Sequence, residues 1–354
     1  MNIYGFIGVS IGLFAFNEVM ISNRSPRKSS ISLLLYVLIS FCAIIFVGFR
    51  ECGFDYQNYY RYFIDLSSAS WKANADYLNV EYGYAYLNYI LGDYKLVLVV
   101  MAVATIALQF KFIYKYSPFP FFSLFLFLGV MLYPIIMGQF RQALAIGLIL
   151  WAFTNKENKL LFLIIILLAA TFHASALIAL FALFIPNKVF KTTVYLLLLL
   201  IALGMNFIME SYMLSMAKVL PALIGSKIET YSTIEDYVLG LNTAMLLRII
   251  IFLIFIFYKD KLNRESKEYY FLNLYFVSLF IYLALGAIPQ IAGRGSIYFY
   301  FFEFILASIV LSRIKGYTRF VLFCFFIGIS IYRQVGFFSQ WQSDYIPYAN
   351  SLFN

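Results

Sequence analysis

The stretch Arg50-Glu51-Cys52-Gly53-Phe54-Asp55-Tyr56-Gln57-Asn58-Tyr59-Tyr60-Arg61-Tyr62-Phe63 holds two arginines, two carboxylates and four tyrosines within fourteen positions. It follows directly on an apolar run long enough to cross a bilayer. The chain is only 12% charged, and ionisable groups at a membrane edge are costly to keep and mark functional sites. From Arg50 to Tyr94 there are ten tyrosines, together with Asp55, Asp65, Asp76, Glu81 and Asp93. Tyrosines at a membrane boundary commonly form an interfacial belt, and most of these rings fit that reading. A belt does not account for Arg50 and Asp55 on either side of Gly53. Nor does it account for Glu81-Tyr82-Gly83-Tyr84-Ala85-Tyr86-Leu87-Asn88. Aromatic faces stack on sugar rings while carboxylates accept from sugar hydroxyls, so the mixture suits a carbohydrate cleft.

Further arginines extend this chemistry. Arg141, in Gly138-Gln139-Phe140-Arg141-Gln142, stands at the start of an apolar run, where snorkelling to head groups is the plainer role. Arg294 is flanked by glycines in Gly293-Arg294-Gly295-Ser296, which lets the backbone approach a ligand. A guanidinium pairs with phosphate through a bidentate fork. Together with Arg50 and Arg248, these two suit a diphosphate. His173, the only histidine, interrupts an apolar region. Hydrogen-bonded packing is the bland reading; its place at the interruption favours a proton acceptor or a ligand for a substrate hydroxyl. Two further segments read mainly as solvated loops that are able to cap a cleft. One carries Tyr231, Glu235, Asp236 and Tyr237, the other Trp341, Asp344, Tyr345, Pro347 and Tyr348.

Several chemistries lack their signatures. No phosphate-binding glycine loop, dinucleotide fingerprint, zinc-protease helix or serine elbow occurs, and Ser175 beside His173 has no such motif around it. One histidine excludes a multi-histidine metal site, and three scattered cysteines make no disulfide or zinc framework. No cofactor is expected.

The elements that must position these residues are membrane helices. At 63% hydrophobic over 354 residues, the chain lies far from soluble composition and reads as one integral membrane domain, 1–354. Apolar runs of spanning length predict helices near 3–22, 31–49, 94–113, 119–137, 138–154, 192–209, 243–258, 268–287, 297–313 and 318–334. The first lacks a basic leader and cleavage site, so it is expected to be retained. The net charge of +9 sits in small clusters between these runs. That is the pattern of topology determinants, not of a nucleic-acid surface. Placing Arg24, Arg27, Lys28, Lys111, Lys156, Lys188, Lys259 and their neighbours in the cytoplasm puts cytoplasmic charge on both sides of 160–185. That region is then a hairpin of two half-helices meeting near His173, tolerated only where protein or a cavity surrounds it. A full crossing is the other possibility. The segments 50–93, 210–242 and 335–354 fall outside.

In these residues the chain resembles the EpsG family of Wzy-like exopolysaccharide and O-antigen polymerases. The resemblance is carried by Arg50…Gly53-Phe54-Asp55…Tyr59-Tyr60…Phe63 and by Glu81-Tyr82-Gly83-Tyr84…Leu87-Asn88. Phe140-Arg141-Gln142…Leu144-Ala145, Phe172-His173-Ala174-Ser175-Ala176-Leu177 and Arg294…Tyr298 continue it. It implies an all-α polytopic fold of GT-C-like type, with about ten spans plus the hairpin. It also implies transfer of a glycan from undecaprenyl diphosphate to a lipid-linked oligosaccharide at the outer face of the bacterial plasma membrane. Asp55, Glu81 and His173 are then the candidate bases. Arg141 and Arg294 would hold the diphosphate, and Arg50 and Asp55 would order the first loop and the acceptor. Tyr59, Tyr60, Tyr84, Gln142, Arg248 and Tyr298 complete the expected binding set. A chain-length regulator is an expected partner. A flippase for lipid-linked oligosaccharides and a membrane acyltransferase are the alternatives. The first would require charges deep in the spans and inverted repeats, neither of which is visible.

Overall fold

The computed structural model describes residues 2–21, 30–219 and 242–353. Arg24, Arg27 and Lys28, and most of the 210–242 segment with Tyr231, Glu235, Asp236 and Tyr237, lie outside the described residues. The chain is all-α and polytopic. Each of the ten apolar runs is helical, but they differ in length. Among the described residues, five helices are long and apolar enough to span alone: Ile3–Ile21, Ser30–Gly48, Tyr94–Tyr116, Thr192–Met209 and Gly316–Gln340. The pair Pro289–Tyr300 and Phe302–Arg313, bent by 44°, is long and apolar enough to span only when taken together. Pro120–Ile136, Phe140–Thr154, Thr243–Phe257 and Glu268–Ala284 are shorter apolar helices. The region around His173 breaks as expected, into a helix at Lys159–Ala170 and a tighter 3-10 segment at Ala174–Leu183.

Contacts divide the chain into two compact units, Met1–Leu180 with Ala307–Asn354, and Phe181–Leu306. The first contains α1 (Ile3–Phe16), α2 (Ser30–Gly48), α3 (Tyr56–Leu66), α4 (Trp71–Leu78) and α5 (Tyr82–Leu91). It continues with α6 (Tyr94–Tyr116), α7 (Pro120–Phe127), α8 (Phe140–Thr154) and α9 (Lys159–Ala170). The second contains α10 (Thr192–Val219), α11 (Thr243–Phe257), α12 (Glu268–Ala284) and α13 (Pro289–Tyr300). Helix α14 (Phe302–Arg313) leads back into the first, which closes with α15 (Gly316–Gln340) and α16 (Gln342–Tyr345).

The segment 50–93 is three short helices. Asn79 ends α4 in the left-handed region, with the Val80 N–H returning to the Ala75 carbonyl, a C-terminal stop. Gly92 ends α5 the same way, and the Asp93 carboxylate caps α6 through the Leu96 N–H. Beyond α7 the ladder widens over Leu128–Ile136, where Pro134 has no N–H to give. This distortion sets the turn at Met137–Gln139 on which the first loop rests.

The C-terminal tail overturns its reading as a solvated loop. The last spanning helix runs on to Gln340, and the residues after it fold back as a strap along 49–53. Arg50 and Asn350 form an isolated antiparallel bridge. The Glu51 N–H donates to the Ala349 carbonyl, Gly53 to Asp344, and Ser351 to Phe49. Tyr345 is fully buried; it donates to the Tyr133 carbonyl at 2.9 Å and its own carbonyl accepts from Tyr4 Oη at 2.8 Å. Tyr348 stacks on Phe46 and donates to the Phe46 carbonyl at 2.6 Å. Burial pushes the Tyr348 phenol up to about 12, so it remains a donor at physiological pH.

This strap yields a graded expectation. Tyr345→Ala should cost about 3–5 kcal/mol as a large-to-small change in a closed core. Tyr345→Phe, which loses one hydrogen bond, should cost only about 1 kcal/mol. Thermal unfolding in detergent measures both; equal effects would remove the packing account.

Candidate functional site

The site in the first unit is built around Glu81, the residue preceding α5. Its Oε2 accepts from Arg141 Nη1 at 2.6 Å, and its Oε1 accepts from the Ala174 N–H at 2.9 Å. One carboxylate therefore joins three segments: the first loop, the N-terminus of α8, and the break beside His173. A second bond holds the same contact, from the Gly83 N–H to the Thr171 carbonyl at 2.9 Å. Gly83 is required there. A Cβ would fall on Thr171 Oγ1 and lie 2.7 Å from its carbonyl oxygen, so the Glu81-Tyr82-Gly83-Tyr84 motif is a docking element for the break.

Arg141 sits in an aromatic enclosure. Its guanidinium lies 5.4 Å from the Tyr84 ring, 5.5 Å from Tyr59 and 6.0 Å from Tyr62, a cation–π arrangement. The Arg141 and Glu81 side chains are 17% and 21% exposed, so the pair is shielded but reachable. Arg141 Nε is buried without a hydrogen-bond partner. Tyr84 is fully buried, which raises its pKa far above the ordinary phenol value and keeps it neutral beside the cation. Tyr59 is buried too, against Phe140, whereas Tyr60 is exposed. His173 is half-buried, with Nδ1 2.8 Å from Ser175 Oγ.

Arg50, expected in the diphosphate-binding set and as an organiser of the first loop, is buried. It is 2% exposed, its Nε donates to the Met137 carbonyl at 3.1 Å and its Nη1 to the Val47 carbonyl at 2.7 Å. Those bonds fix the floor of the loop. Gly53 lies above the same turn at φ +130, where a Cβ would come 2.8 Å from the Met137 carbonyl oxygen. Phe54 in turn lies where a Cβ on Gly138 would project. The pairing of Arg50 with loop order is thus structural. Asp55 starts α3 and accepts from Asn58 Nδ2 at 3.3 Å. Gln142 is buried on α8.

The second unit holds its own cation. Arg248 on α11 is clamped between the Tyr282 and Tyr300 rings, 3.7 and 4.0 Å from their centres, and its Nη1 donates to Ser296 Oγ at 3.3 Å. Tyr300 and Tyr275 both donate to the buried Glu303 carboxylate, at 3.3 and 2.6 Å. Arg294, expected on a loop, lies within α13 instead, because Pro289 starts the helix earlier than the apolar run does. It is exposed, and nothing lies within 4 Å of a Cβ on Gly293. Tyr298 is fully buried. Tyr62, Tyr282 and the Ala174 N–H were not singled out by sequence. The rings are indistinguishable there from many other tyrosines, and a backbone donor leaves no residue signal.

The fold and site define a class: a polytopic helical membrane protein with arginine, carboxylate, histidine and tyrosine gathered beside its spanning helices. Within that class, the EpsG family model matches residues 33–350, and the chain belongs to the EpsG family. This family is one of exopolysaccharide- and O-antigen-polymerase-like proteins, which gives the chain a polysaccharide-polymerase-like, glycosyltransferase-like role in general terms. No curated protein and no solved structure matches the chain.

The docking contact is testable by itself. Gly83→Ala should destabilise the protein by about 1–3 kcal/mol through overpacking. Adding Thr171→Ala should restore only part of that, because the backbone oxygen at 2.7 Å remains. Full rescue by the double variant in thermal unfolding would show that the side chain alone set the constraint.

Proposed function

We propose that this protein is a repeat-unit polymerase that transfers a growing glycan from undecaprenyl diphosphate to a lipid-linked acceptor, at the outer face of the bacterial plasma membrane. The observation that supports this reading most is the Glu81 bridge. It ties a cation suited to a leaving diphosphate to the backbone of Ala174, the residue after a histidine suited to a proton. In the step, an acceptor hydroxyl oxygen bonds to the anomeric carbon of the donor glycan. The bond from that carbon to the diphosphate oxygen breaks, and the diphosphate leaves with the electron pair. The hydroxyl proton passes to a base.

Each group in the site takes a distinct part. Arg141 stabilises charge developing on the diphosphate; a preorganised donor in a shielded site is effective at this. Its buried, unpartnered Nε is a donor that a phosphate oxygen would satisfy. Glu81 already uses both oxygens on Arg141 and Ala174, so it acts as a positioning residue. His173, held through Nδ1 by Ser175, is the base. In the second unit, Arg294, exposed on α13 beside the open space at Gly293, is that unit's own candidate for binding a phosphate oxygen. The diphosphate is a good leaving group, so the step asks for neither an acid catalyst nor a cofactor. A chain-length regulator would act on this protein from outside the site.

The experiment is a gel of surface polysaccharide from cells lacking the protein and complemented with variants. Arg141→Ala and Arg294→Ala should each remove the long-chain ladder while a single repeat unit still reaches the surface at normal protein level. Arg141→Lys should rescue poorly, because an ammonium lacks the fork. A ladder unchanged in both alanine variants would sink the diphosphate assignment. Loss of even the single unit in cells without the protein would favour the flippase. For the base, His173→Ala should slow turnover of lipid-linked donor about 10²–10⁴-fold. Near-normal turnover in that variant would return the role to Asp55 or Glu81.

A further inference from the structure

A cleft of about 850 Å³ opens in the first unit between α1 and α15. The two helices run antiparallel and touch at the ends of the cleft. The Tyr4 and Phe338 rings are 4.5 Å apart at one end, and the Phe16 and Phe323 rings 6.0 Å apart at the other. Between them lie Gly8 and Gly12. A Cβ at Gly8 would lie 3.5 Å from Gln334 Oε1, and one at Gly12 3.2 Å from the Phe125 ring, so the absence of side chains keeps the floor low. The cleft runs roughly 18 Å along α1, at 1.5 Å per residue from Tyr4 to Phe16. Its length is lined by Val9, Leu13, Phe16, Phe323, Ile327 and Ile331, while Asn2, Ser339 and Gln342 gather at one end. A polar mouth above an apolar trough has the polarity of a lipid with its head at the mouth.

We propose that this cleft holds the hydrocarbon tail of the lipid that carries the glycan diphosphate. The identity of that occupant rests on the polymerase reading; the choice of this cleft rests on continuity with the site. Its two walls are helices long and apolar enough to span a membrane, so its surroundings are hydrocarbon. Its polar end is the end joined to the arginine loop. Tyr4, which lines the cleft, donates to the Tyr345 carbonyl and lies 3.7 Å from Cys52 Sγ. Gln342 and Ile346 line it from the tail strap, and the main-chain carbonyl of Asp344 between them accepts from the Gly53 N–H. A tail lying in the trough therefore emerges beside Arg50–Gly53, the loop that rests on the same turn as α8 and its Arg141. A bulk phospholipid would gain nothing from that connection.

The test uses purified protein in nanodiscs and an isoprenyl diphosphate with a diazirine on its tail. Cross-links are expected within Ile3–Phe16 and 323–346, and a diazirine-bearing phospholipid should compete poorly. Ile331→Trp and Val335→Trp fill the trough from positions 49% and 63% exposed, so neither overpacks the core. Each should reduce labelling and raise the KM for a long-tailed lipid-linked donor about tenfold, the effect of a few methylenes kept out of an apolar trough. A short-tailed donor that does not reach the trough should be turned over as by the wild type. Labelling spread over all lipid-facing helices, or unaffected by both tryptophans, would overturn the proposal. Labelling confined to the cleft in a wild type that polymerises neither donor would support the cleft and remove the polymerase reading.

Discussion

Much of the first unit depends on one carboxylate with two partners. Glu81 and Arg141 meet at 2.6 Å with little solvent around them. At such burial the desolvation of two charges roughly cancels their attraction, so a pair of this kind is weak support for stability. Its value is geometric. Glu81 has a second oxygen, which accepts from the Ala174 N–H where the helix ladder is broken. A broken helix near a membrane has unsatisfied N–H groups that lipid cannot satisfy, and an ionised acceptor is the strongest available partner. The salt bridge and the capped break therefore support one another, and His173 is placed as a by-product of that support.

The loop carrying this arrangement is held by close backbone contacts instead of by a large core of its own. Gly53 rests against the Met137 carbonyl, Gly138 lies under Phe54, and Gly83 lies against Thr171. The tail strap covers the other side, with Glu51 and Gly53 hydrogen-bonded to it. Arg50 completes the frame from beneath, through the carbonyls of Val47 and Met137. Three segments remote in sequence converge on it. A guanidinium with several donors in a rigid fork suits this role better than an ammonium does.

That convergence explains what the sequence could and could not reveal. The apolar runs locate the helices, and the interruption at Thr171–Ser175 is visible because a histidine and two hydroxyls stand in an otherwise apolar stretch. The importance of Arg50, Glu81, Arg141 and His173 is also legible, since each is chemically out of place. Their roles are not. Arg50 reads as a diphosphate ligand as readily as an organiser of the loop, because its carbonyl partner at Met137 lies 87 positions away and backbone acceptors have no residue signature. The tail reads as a solvated loop for a similar reason. Trp341, Asp344, Tyr345 and Tyr348 make no periodic pattern, yet Tyr345 is among the most buried residues. The position of Arg294 within a helix is missed because two glycines lower helix propensity, while Pro289 starts the helix regardless.

The tyrosine count, 30 in 354 residues, acquires a reason beyond an interfacial belt. Each unit has to keep a guanidinium fixed where water is scarce, and each does so with tyrosine faces. In the first, Tyr59, Tyr62 and Tyr84 surround Arg141 while Glu81 supplies the counter-charge directly. In the second, Tyr282 and Tyr300 sandwich Arg248, and the Tyr300 hydroxyl leads on to the Glu303 carboxylate. The difference has a chemical consequence. A directly paired arginine is partly neutralised and must exchange partners to take an anion, whereas one held by ring faces keeps its full charge and its planar edge. Phenylalanine would provide the faces but not the hydroxyl that leads to Glu303, and lysine would fill neither clamp, because an ammonium has no plane to stack.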